Sequence, residues 1–398
     1  MTTDSIGVAV IGAGMAGRAH LAAWRNAPTV FDPPLPPVRL VAIADLNAEV
    51  AADGATRFGY ERVTSDWREV VEADDVDVIS IVVANSLHRE IAEAALAAGK
   101  HVLCEKPLAP SVADAQAMVD AAAAHPELVA ATGFVYRRQP AVAAVRERIG
   151  EAGLGAPVHF AGHYMCDYAC DPDGPMSWRY KGGPGSGALA DIGSHLVDQA
   201  EFLCGPIASV SGAVFSTTTT QRFLPAGNVV GHGLAQLSDV AEPVENEDVA
   251  TCTVTFARGG AGTLTASRMA FGHANQLGWR LSCERGSAEW DMERPAEFSY
   301  ADTSSPRGTG GPRQVLIGPD HPYLTHGLPM DFPSVSFGVN DLFVYQARAF
   351  LEEVVGIEGG LPRCASFAEG LRNLQILDAV KESAAGGGIT VAVPPPAS

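Results

Sequence analysis

The stretch Val8-Ala-Val-Ile-Gly-Ala-Gly-Met-Ala-Gly17 decides the fold of this 398-residue chain. Its apolar start predicts a buried strand, which runs directly into a G-x-G-x-x-G pattern. The glycines of the pattern are Gly12, Gly14 and Gly17. They permit a tight turn, the close approach of a pyrophosphate, and the close packing of a helix on the strand. A helix that begins near Met15 presents N–H groups to phosphates, so Met15 and Ala16 are predicted cofactor contacts.

The acidic residue after the second predicted strand, residues 39–44, indicates which cofactor binds. This residue is Asp45, and a proline-rich insert over 26–37 separates it from the glycine turn. A carboxylate here accepts hydrogen bonds from ribose hydroxyls and repels a 2′-phosphate. Leu46 and Asn47 add no cation that would bind a phosphate. We expect NAD, with NADP less favoured; the alternative is an aspartate that only caps the next helix.

The first third of the chain alternates strand-like and helix-like segments, which is typical of a doubly wound parallel sheet with crossover helices. The predicted strands are 7–11, 39–44, 76–83, 101–104 and 128–132. The predicted helices are 16–26, 47–58, 88–98 and 112–124. Ser111 is the expected N-cap of the last of these helices. We therefore predict a Rossmann-type dinucleotide-binding domain over residues 1–135.

From residue 136 the pattern changes to that of an α+β domain with a large, mostly antiparallel open sheet. The predicted strands are 158–165, 208–218, 249–256, 262–266, 278–283 and 287–291. A Pro/Gly-rich loop is expected over 302–322, and helices over 341–355 and 367–385. We predict that residues 136–398 bind substrate and mediate oligomerisation, as a homodimer or homotetramer.

Composition excludes several classes of partner. The formal net charge of −19 argues against nucleic acids and anionic membranes. No stretch approaches the roughly 20 apolar residues of a membrane helix, and we expect a cytoplasmic protein. The seven cysteines are expected to be buried, reduced thiols. Cys166 and Cys170 lack a second pair of cysteines, so no metal site is predicted.

A lysine at the tip of a predicted strand is the first candidate catalytic group. Lys106 follows the strand 101–104, where open parallel sheets bind their ligands. Pro107 disfavours the α region for Lys106 and so keeps it extended. A partly desolvated lysine beside a cationic nicotinamide can act as an acid or base near neutral pH. The alternative is a surface lysine that pairs with Glu105.

A second acid–base pair follows a glycine-rich loop. Asp191 and His195 are four residues apart, so they lie on one face if a helix starts there. His195 can take an alcohol proton as hydride leaves the same carbon, while Asp191 orients the substrate or the imidazole. The alternative is an ordinary salt pair at a helix start. Together with the nucleotide turn, these residues indicate hydride transfer from an alcohol.

These motifs resemble those of the Gfo/Idh/MocA oxidoreductases, named for glucose–fructose oxidoreductase and inositol dehydrogenase. The matching stretches are 10–17, 85–88, 98–107, 133–140, 177–179 and 187–198. The resemblance implies that Lys106 and His195 handle the hydroxyl proton and that Asp191 contacts the sugar. It also implies that further residues lie on the nicotinamide side of the cofactor: Asn85, His88 and Glu105.

Two positions depart from the family's usual residues, and three loop segments indicate a subgroup within the family. Ala84 and Val135 stand where the family often has proline and asparagine. The segments 167–178, 221–248 and 318–323 are most similar to those of the family's anhydrosugar and glycoside dehydrogenases, which implies oxidation of a ring hydroxyl, typically at C3. Aromatic faces and guanidinium donors suit sugars, so the candidate substrate contacts, besides Asp191 and His195, are Tyr136, Arg137, His163, Trp178 and Arg179.

We therefore expect an NAD-dependent dehydrogenase that oxidises a secondary hydroxyl of a sugar, anhydrosugar, glycoside or cyclitol. One alternative is an enzyme that retains NAD and cleaves or epimerises a glycoside through transient oxidation. Another is a nucleotide-binding regulator without catalysis. The regulator has no need of Lys106, Asp191 and His195 together, which argues against it.

Overall fold

The structure is a computed structural model that describes most of the chain. The described residues are 5–31, 34–150, 153–183, 185–227, 236–304, 310–318, 320–321, 323–325, 332, 338–358 and 360–396. The chain separates into two compact units, Met1–Arg138 with Gly318–Leu371 and Gln139–Ile317 with Arg372–Ser398. The first unit therefore includes residues 318–371, which the predicted division into 1–135 and 136–398 assigns to the second domain; that division stays a prediction.

The first unit contains a seven-stranded sheet, as the alternating sequence pattern predicts. Its strands are β1 (Ile6–Ile11), β2 (Val38–Ala44), β3 (Arg62–Thr64), β4 (Val78–Ile81), β5 (His101–Cys104), β6 (Ala130–Thr132) and β17 (Ala365–Ser366). They lie in the order β17-β6-β5-β4-β1-β2-β3. All pairs are parallel except β17 with β6. The Rossmann-type sheet is confirmed; the short elements β3 and β17 were not predicted.

Capping residues define several helices of this unit. Its α-helices are α1 (Met15–Asn26), α2 (Ala48–Phe58), α3 (Trp67–Val71), α4 (His88–Ala97), α5 (Val112–Ala124) and α8 (Val339–Val355), and α9 (Phe367–Ala385) begins here. The Asn47 side chain accepts hydrogen bonds from the first turn of α2, and Ser111 caps α5 as predicted. Gly59 ends α2 in the left-handed region, with φ +82°.

The core of the first unit joins α8 to the nucleotide-binding part of the chain. Trp24 on α1 and Phe350 on α8 are fully buried, and their rings meet edge to face with centroids 5.8 Å apart. Both belong to one apolar cluster with Val8 and Val10 of β1. Burial of these large side chains explains why a helix more than 300 positions away in sequence belongs to this unit.

In the described residues, the second unit contains a nine-stranded sheet in which one pair, β7 with β12, is parallel and the others are antiparallel. Its strands are β7 (Pro157–Met165), β8 (Ile207–Ser216), β11 (Val249–Phe256), β12 (Ala261–Ser267), β13 (Gln276–Cys283), β14 (Gly286–Asp291), β15 (Glu297–Asp302), β16 (Arg313–Leu316) and β18 (Val391–Ala392). The order is β16-β15-β14-β13-β7-β12-β11-β8-β18. The predicted large, mostly antiparallel sheet is confirmed.

Several elements of this unit differ from expectation. Helix α6 (Pro140–Arg148) was not predicted, whereas a helix that starts near Asp191 was considered and continues as α7 (Ser194–Cys204). Strand β9 (Gln221–Pro225) pairs with β10 (Leu237–Pro243) as a separate ribbon. The expected loop over 302–322 contains the edge strand β16, while its residues 305–309, 319 and 322 lie outside the described residues. Strands β10 and β16 contain no buried residue, so apolar periodicity gave no signal for them. Among the described residues, no helix is long and apolar enough to cross a membrane.

Candidate active site

The glycine turn between β1 and α1 leaves space only where a ligand needs it. Gly12 has φ +99°, and a Cβ added there would lie 2.1 Å from the Val82 carbonyl oxygen. A Cβ on Gly17 would lie 2.1 Å from the Gly12 carbonyl oxygen, so this glycine lets α1 pack on the turn. A Cβ on Gly14 would meet no atom within 4 Å. The open space at Gly14 is where a pyrophosphate can approach the main chain.

The N-terminus of α1 suits an anion. Gly14 is the N-cap residue and supplies no side-chain hydrogen bond to the first turn, which contains no acidic residue. Met15, the first residue of the helix, is more than half exposed. Main-chain N–H groups at the positive end of a helix stabilise phosphate. The residues present therefore fit a dinucleotide, whose pyrophosphate they would hold.

Asp45 ties the end of β2 to the glycine turn. Its Oδ2 accepts a hydrogen bond from the Ala13 N–H at 2.7 Å, and its Oδ1 accepts one from the Asn47 N–H at 2.8 Å. Asn47, rather than Asp45, is the N-cap of α2. The alternative that Asp45 only caps this helix is therefore wrong. A carboxylate fixed in this way keeps acceptor positions for ribose hydroxyls.

Lys106 lies in the turn after β5, directly after Glu105, whose carboxylate is hydrogen-bonded on both oxygens. The Lys106–Pro107 peptide bond is cis. The Oε2 atom of Glu105 accepts the Lys106 N–H at 3.1 Å, and its Oε1 lies 2.9 Å from His20 Nε2. Burial opposes ionisation of Glu105, but the hydrogen bond and charge of His20 and the charge of Lys106 outweigh it, and the net pKa of Glu105 is lowered. Glu105 is therefore a carboxylate, and it fixes the main chain of Lys106.

His88, predicted on the nicotinamide side, is fully buried. Its Nδ1 lies 3.1 Å from the Pro107 carbonyl oxygen, and its Nε2 lies 3.1 Å from the Val83 carbonyl oxygen. Burial lowers the pKa of His88, although the carbonyl groups of Val83, Leu108 and Pro107 act in the opposite direction. These contacts support a role in holding the Lys106–Pro107 turn, and a direct cofactor contact stays a prediction. Asn85, at the start of the turn that leads into α4, is partly exposed.

Asp191 lies in a π-helical turn, Leu189–Gly193, directly before α7. Single π turns occur often at functional sites. The prediction of a helix at this point is confirmed, although its first turn is wider than an α turn. Oδ2 of Asp191 accepts hydrogen bonds from the Tyr168 hydroxyl at 3.1 Å and from Arg179 Nε at 3.3 Å. Burial and then the Asp191 charge raise the pKa of Tyr168, so its phenol remains a donor.

His195 lies in the first turn of α7 and is 8% exposed. Its ring centroid is 6.1 Å from that of Tyr164 on β7, whose hydroxyl donates to Asn275 Oδ1 at 2.7 Å. Adjacent residues of a strand point to opposite faces, so His163 points away from the face that carries Tyr164 and His195. The structure thus does not bring His163 to His195, and Tyr164 takes the place that the sequence assigned to its neighbour.

A set of buried arginines holds the loop that precedes Asp191. Arg222 on β9 is 1% exposed and donates to the main-chain carbonyls of Ala169, Asp171 and Gly174. Arg268 pairs with Asp248 at 2.8 Å and also donates to the Arg179 carbonyl. The sequence did not single out these residues, because buried arginines resemble surface charges until their partners are known.

The remaining predicted substrate contacts differ in exposure. Trp178 is 55% exposed, and the Cζ of Arg179 lies 4.7 Å from its ring centroid. Tyr136 is buried, at 6%. Arg137 Nη1 is 2.6 Å from Glu369 Oε1, within the first unit. Trp178 and Arg179 thus lie by Asp191, whereas Arg137 is engaged by a carboxylate of its own unit. In the described part of the chain, no group of three or more His, Cys, Asp or Glu side chains is placed to hold a metal.

Comparison of the sequence with known proteins gives matches in both halves. Residues 6–132 match the family described as "Oxidoreductase family, NAD-binding Rossmann fold", and residues 142–289 match the "GFO/IDH/MocA C-terminal domain". Levoglucosan dehydrogenase of Pseudarthrobacter phenanthrenivorans is 38% identical over 385 residues, which are 96% of this chain and 97% of that protein. Inositol 2-dehydrogenase of Salmonella typhimurium is 31% identical over 157 residues, 39% of this chain and 45% of that protein.

Solved structures agree with these relations. A levoglucosan dehydrogenase in complex with NADH and levoglucosan superposes with a TM-score of 0.88 at 37% identity, covering 98% of this chain and 100% of that one. An oxidoreductase domain protein from Kribbella flavida gives a TM-score of 0.88 at 34% identity, again over 98% and 100% of the two chains. The similarity therefore spans both units.

Proposed function

Because the chain belongs to the Gfo/Idh/MocA family of NAD-binding oxidoreductases, we propose that it oxidises a ring secondary hydroxyl, at C3, of a sugar, anhydrosugar, glycoside or cyclitol. The observation that carries the proposal is the polar group in the second unit, where Tyr168 and Arg179 hold Asp191 four residues before His195. Similarity to levoglucosan dehydrogenase over nearly the whole of both chains supports an anhydrosugar or a related glycoside.

Lys106 and His195 are proposed to handle the hydroxyl proton. NAD, when bound, accepts the hydride from the carbon that carries this hydroxyl. An imidazole is a base that works near neutral pH, and a lysine amine at a strand tip can share or relay the proton. Glu105 holds the main chain of Lys106, and the π turn before α7 sets the position of His195.

Asp191 is proposed to orient the sugar. A carboxylate held by two donors keeps one geometry and accepts a hydrogen bond from a sugar hydroxyl. The exposed face of Trp178 offers an apolar surface against the sugar ring. On the cofactor side, Asn85 and Glu105 are proposed to lie by the nicotinamide, while Gly14 and Asp45 hold the pyrophosphate and ribose.

The test is a screen of sugars, anhydrosugars, glycosides and inositols with NAD and NADP, read as absorbance of the reduced cofactor. Lys106→Ala and His195→Ala should each abolish NADH formation and leave NADH binding measurable. Lys381→Ala and His159→Ala, which alter exposed residues of the same types, are the matched controls. Full turnover by either site variant would refute the roles of Lys106 and His195.

The screen also separates the alternatives. Product formation with retained NAD and no net NADH would identify an enzyme that cleaves or epimerises by transient oxidation. Tight NAD binding with no turnover of any compound would favour a regulator. The broad sheet of the second unit is proposed to form a homodimer or homotetramer, which light scattering after gel filtration measures directly.

A further inference from the structure

His20 lies in the first unit, in a hydrogen-bonded row that ends at the candidate catalytic lysine. It projects from α1 and is 2% exposed. Its Nδ1 lies 2.7 Å from the hydroxyl of Ser80 on β4, and its Nε2 lies 2.9 Å from Glu105 Oε1. The other oxygen of Glu105 accepts the Lys106 N–H. The row thus runs Ser80–His20–Glu105–Lys106 across three elements of the fold.

The charge state of Glu105 sets the direction of these hydrogen bonds. Its pKa is lowered, because the hydrogen bond and charge of His20 and the charge of Lys106 together exceed the opposing effect of burial. A carboxylate only accepts, so the His20 Nε2 carries the proton that it donates to Glu105. The Ser80 hydroxyl, at hydrogen-bond distance from Nδ1, can donate to this nitrogen or accept from it, and in either case it holds the ring in place. The titratable groups that face Glu105 are His20 of α1, His88 of α4, and Cys104 and Lys106 of its own strand and turn.

The row has the features of a rigid support and lacks those of a proton channel. Ser80 is fully buried, so the row ends inside the protein and leads to no solvent. A Cβ on Gly133 would lie 2.6 Å from Glu105 Oε1, so the carboxylate fits closely against the neighbouring main chain. The His20 ring meets Phe343 of α8 edge to face at 5.3 Å. The Glu105 carboxylate is therefore closely flanked by Gly133 and by the His20 ring.

We propose that His20 is a positioning residue, which holds the Glu105 carboxylate and through it fixes the main chain of Lys106 for proton transfer. The importance of Lys106 rests on the proposed function; the mechanical link from His20 to Lys106 does not. Precise placement matters because a shift of about 1 Å in a reacting group can cost roughly 100-fold in rate.

The test uses the fact that the chain has only four lysines: Lys100, Lys106, Lys181 and Lys381. Protein labelled with [15N]lysine gives one main-chain amide signal for each, and Lys106→Arg identifies the signal of Lys106. We expect His20→Leu, which cannot donate, to move this signal upfield, while Lys100 in the same unit keeps its position. His20→Gln, whose amide can donate to Glu105, should restore it. This readout needs no substrate, so it decides the inference even if no sugar is oxidised.

Kinetics provides the second readout once a substrate is known. His20→Leu should lower kcat by about tenfold or more, with the Kd of NADH nearly unchanged, and His20→Gln should recover most of the loss. An unmoved Lys106 signal in His20→Leu would overturn the proposal, as would failure of His20→Gln to restore it. If His20→Leu does not fold, Ser80→Ala decides: the proposal requires a smaller upfield shift of the same signal, and no shift refutes it.

Discussion

Arg179 Nε lies 3.3 Å from Oδ2 of Asp191, and both side chains are largely enclosed, with exposures of 14% and 16%. The main chain of Arg179 is also held in place. The main-chain carbonyl of Arg179 accepts hydrogen bonds from Arg268 and Asn246. Loss of one partner of such a pair leaves a desolvated charge without compensation. The orientation of Asp191 therefore depends on Arg179.

Arg179→Met should lower kcat/KM for the sugar by about 10- to 100-fold, because the Asp191 carboxylate loses its charged partner. The Kd of NADH should stay within about twofold, since the cofactor residues belong to the other unit. Arg179→Lys keeps the positive charge, so its kcat/KM should fall less than that of Arg179→Met. Arg280→Met, at a mostly exposed arginine of the same unit, is the control. An unchanged kcat/KM in Arg179→Met would contradict the role of the pair.

Alanine substitutions at two glycines of the nucleotide turn should distinguish an effect on cofactor binding from an effect on folding. Gly14→Ala introduces a methyl group that meets no protein atom, so the thermal midpoint should not change. Because the same methyl occupies the approach of the pyrophosphate, the Kd of NADH should rise about tenfold or more. Gly17→Ala forces a Cβ against the Gly12 carbonyl and should lower the thermal midpoint as well. Calorimetry with and without NADH measures both effects, and equal behaviour of the two variants would refute the assignment.

The sequence predicted the elements that follow strict physical patterns. The buried strand β5, His101–Cys104, and the helix α5, Val112–Ala124, have the predicted bounds, because apolar runs, alanine-rich stretches and a Ser111 cap define them locally. The glycine turn was equally clear, since Gly12 and Gly17 meet steric conditions that no other residue satisfies.

Long-range partners were beyond the reach of sequence patterns. The site residues His20, Tyr168 and Arg222 act through contacts with residues that are 85, 23 and 53 positions away. Nothing in the local sequence distinguishes them from ordinary core or surface residues. The sequence named His163, whereas its neighbour Tyr164 has the ring that lies near His195. Alternation along a strand shows that the two side chains point to opposite faces, but it does not show which face the helix covers.

The preference for NAD should be reversible at the end of β2. In Asp45→Asn/Leu46→Arg, the charge that repels a 2′-phosphate is removed, and a cation is added at a position that is 89% exposed. Asparagine keeps a side-chain acceptor for the turn that Asp45 now holds. The ratio of the Kd for NADPH to that for NADH should fall by about 10- to 100-fold, as expected for charge-assisted hydrogen bonds. A ratio that stays at the wild-type value would show that Asp45 does not set the preference.

Acid should weaken the first unit through Glu369. Burial opposes its ionisation, but the charge of Arg137 and hydrogen bonds from Arg363, Arg137 and Ser366 lower its pKa to about 2. A depressed folded pKa stabilises above the unfolded value, near pH 4.5, and this contribution is lost as the pH falls toward 2. The difference in unfolding free energy between wild type and Glu369→Gln should therefore be about 2–3 kcal/mol at pH 7 and much smaller near pH 2.

Urea titrations at both pH values measure this difference in unfolding free energy. Glu289→Gln, at a half-exposed position, should show little difference at either pH, and a constant difference for Glu369→Gln would contradict the linkage.

Arg222 should control the loop that carries Tyr168 and leads to Arg179. Arg222→Met leaves the carbonyls of Ala169, Asp171 and Gly174 without their donor, and it removes the cation whose Cζ lies 4.4 Å from the Tyr180 ring centroid. Loss of hydrogen bonds to a buried charge should destabilise the protein by about 2–4 kcal/mol.

In Arg222→Met, hydrogen exchange should accelerate over residues 166–180 before it does so in the rest of the unit. Because Tyr168 and Arg179 then no longer hold Asp191 in one geometry, KM for the sugar should rise while the Kd of NADH stays constant. Arg222→Lys keeps the positive charge but has fewer donors, so its stability should lie between those of the wild type and Arg222→Met. Unchanged hydrogen exchange of the loop in Arg222→Met would refute this anchoring role.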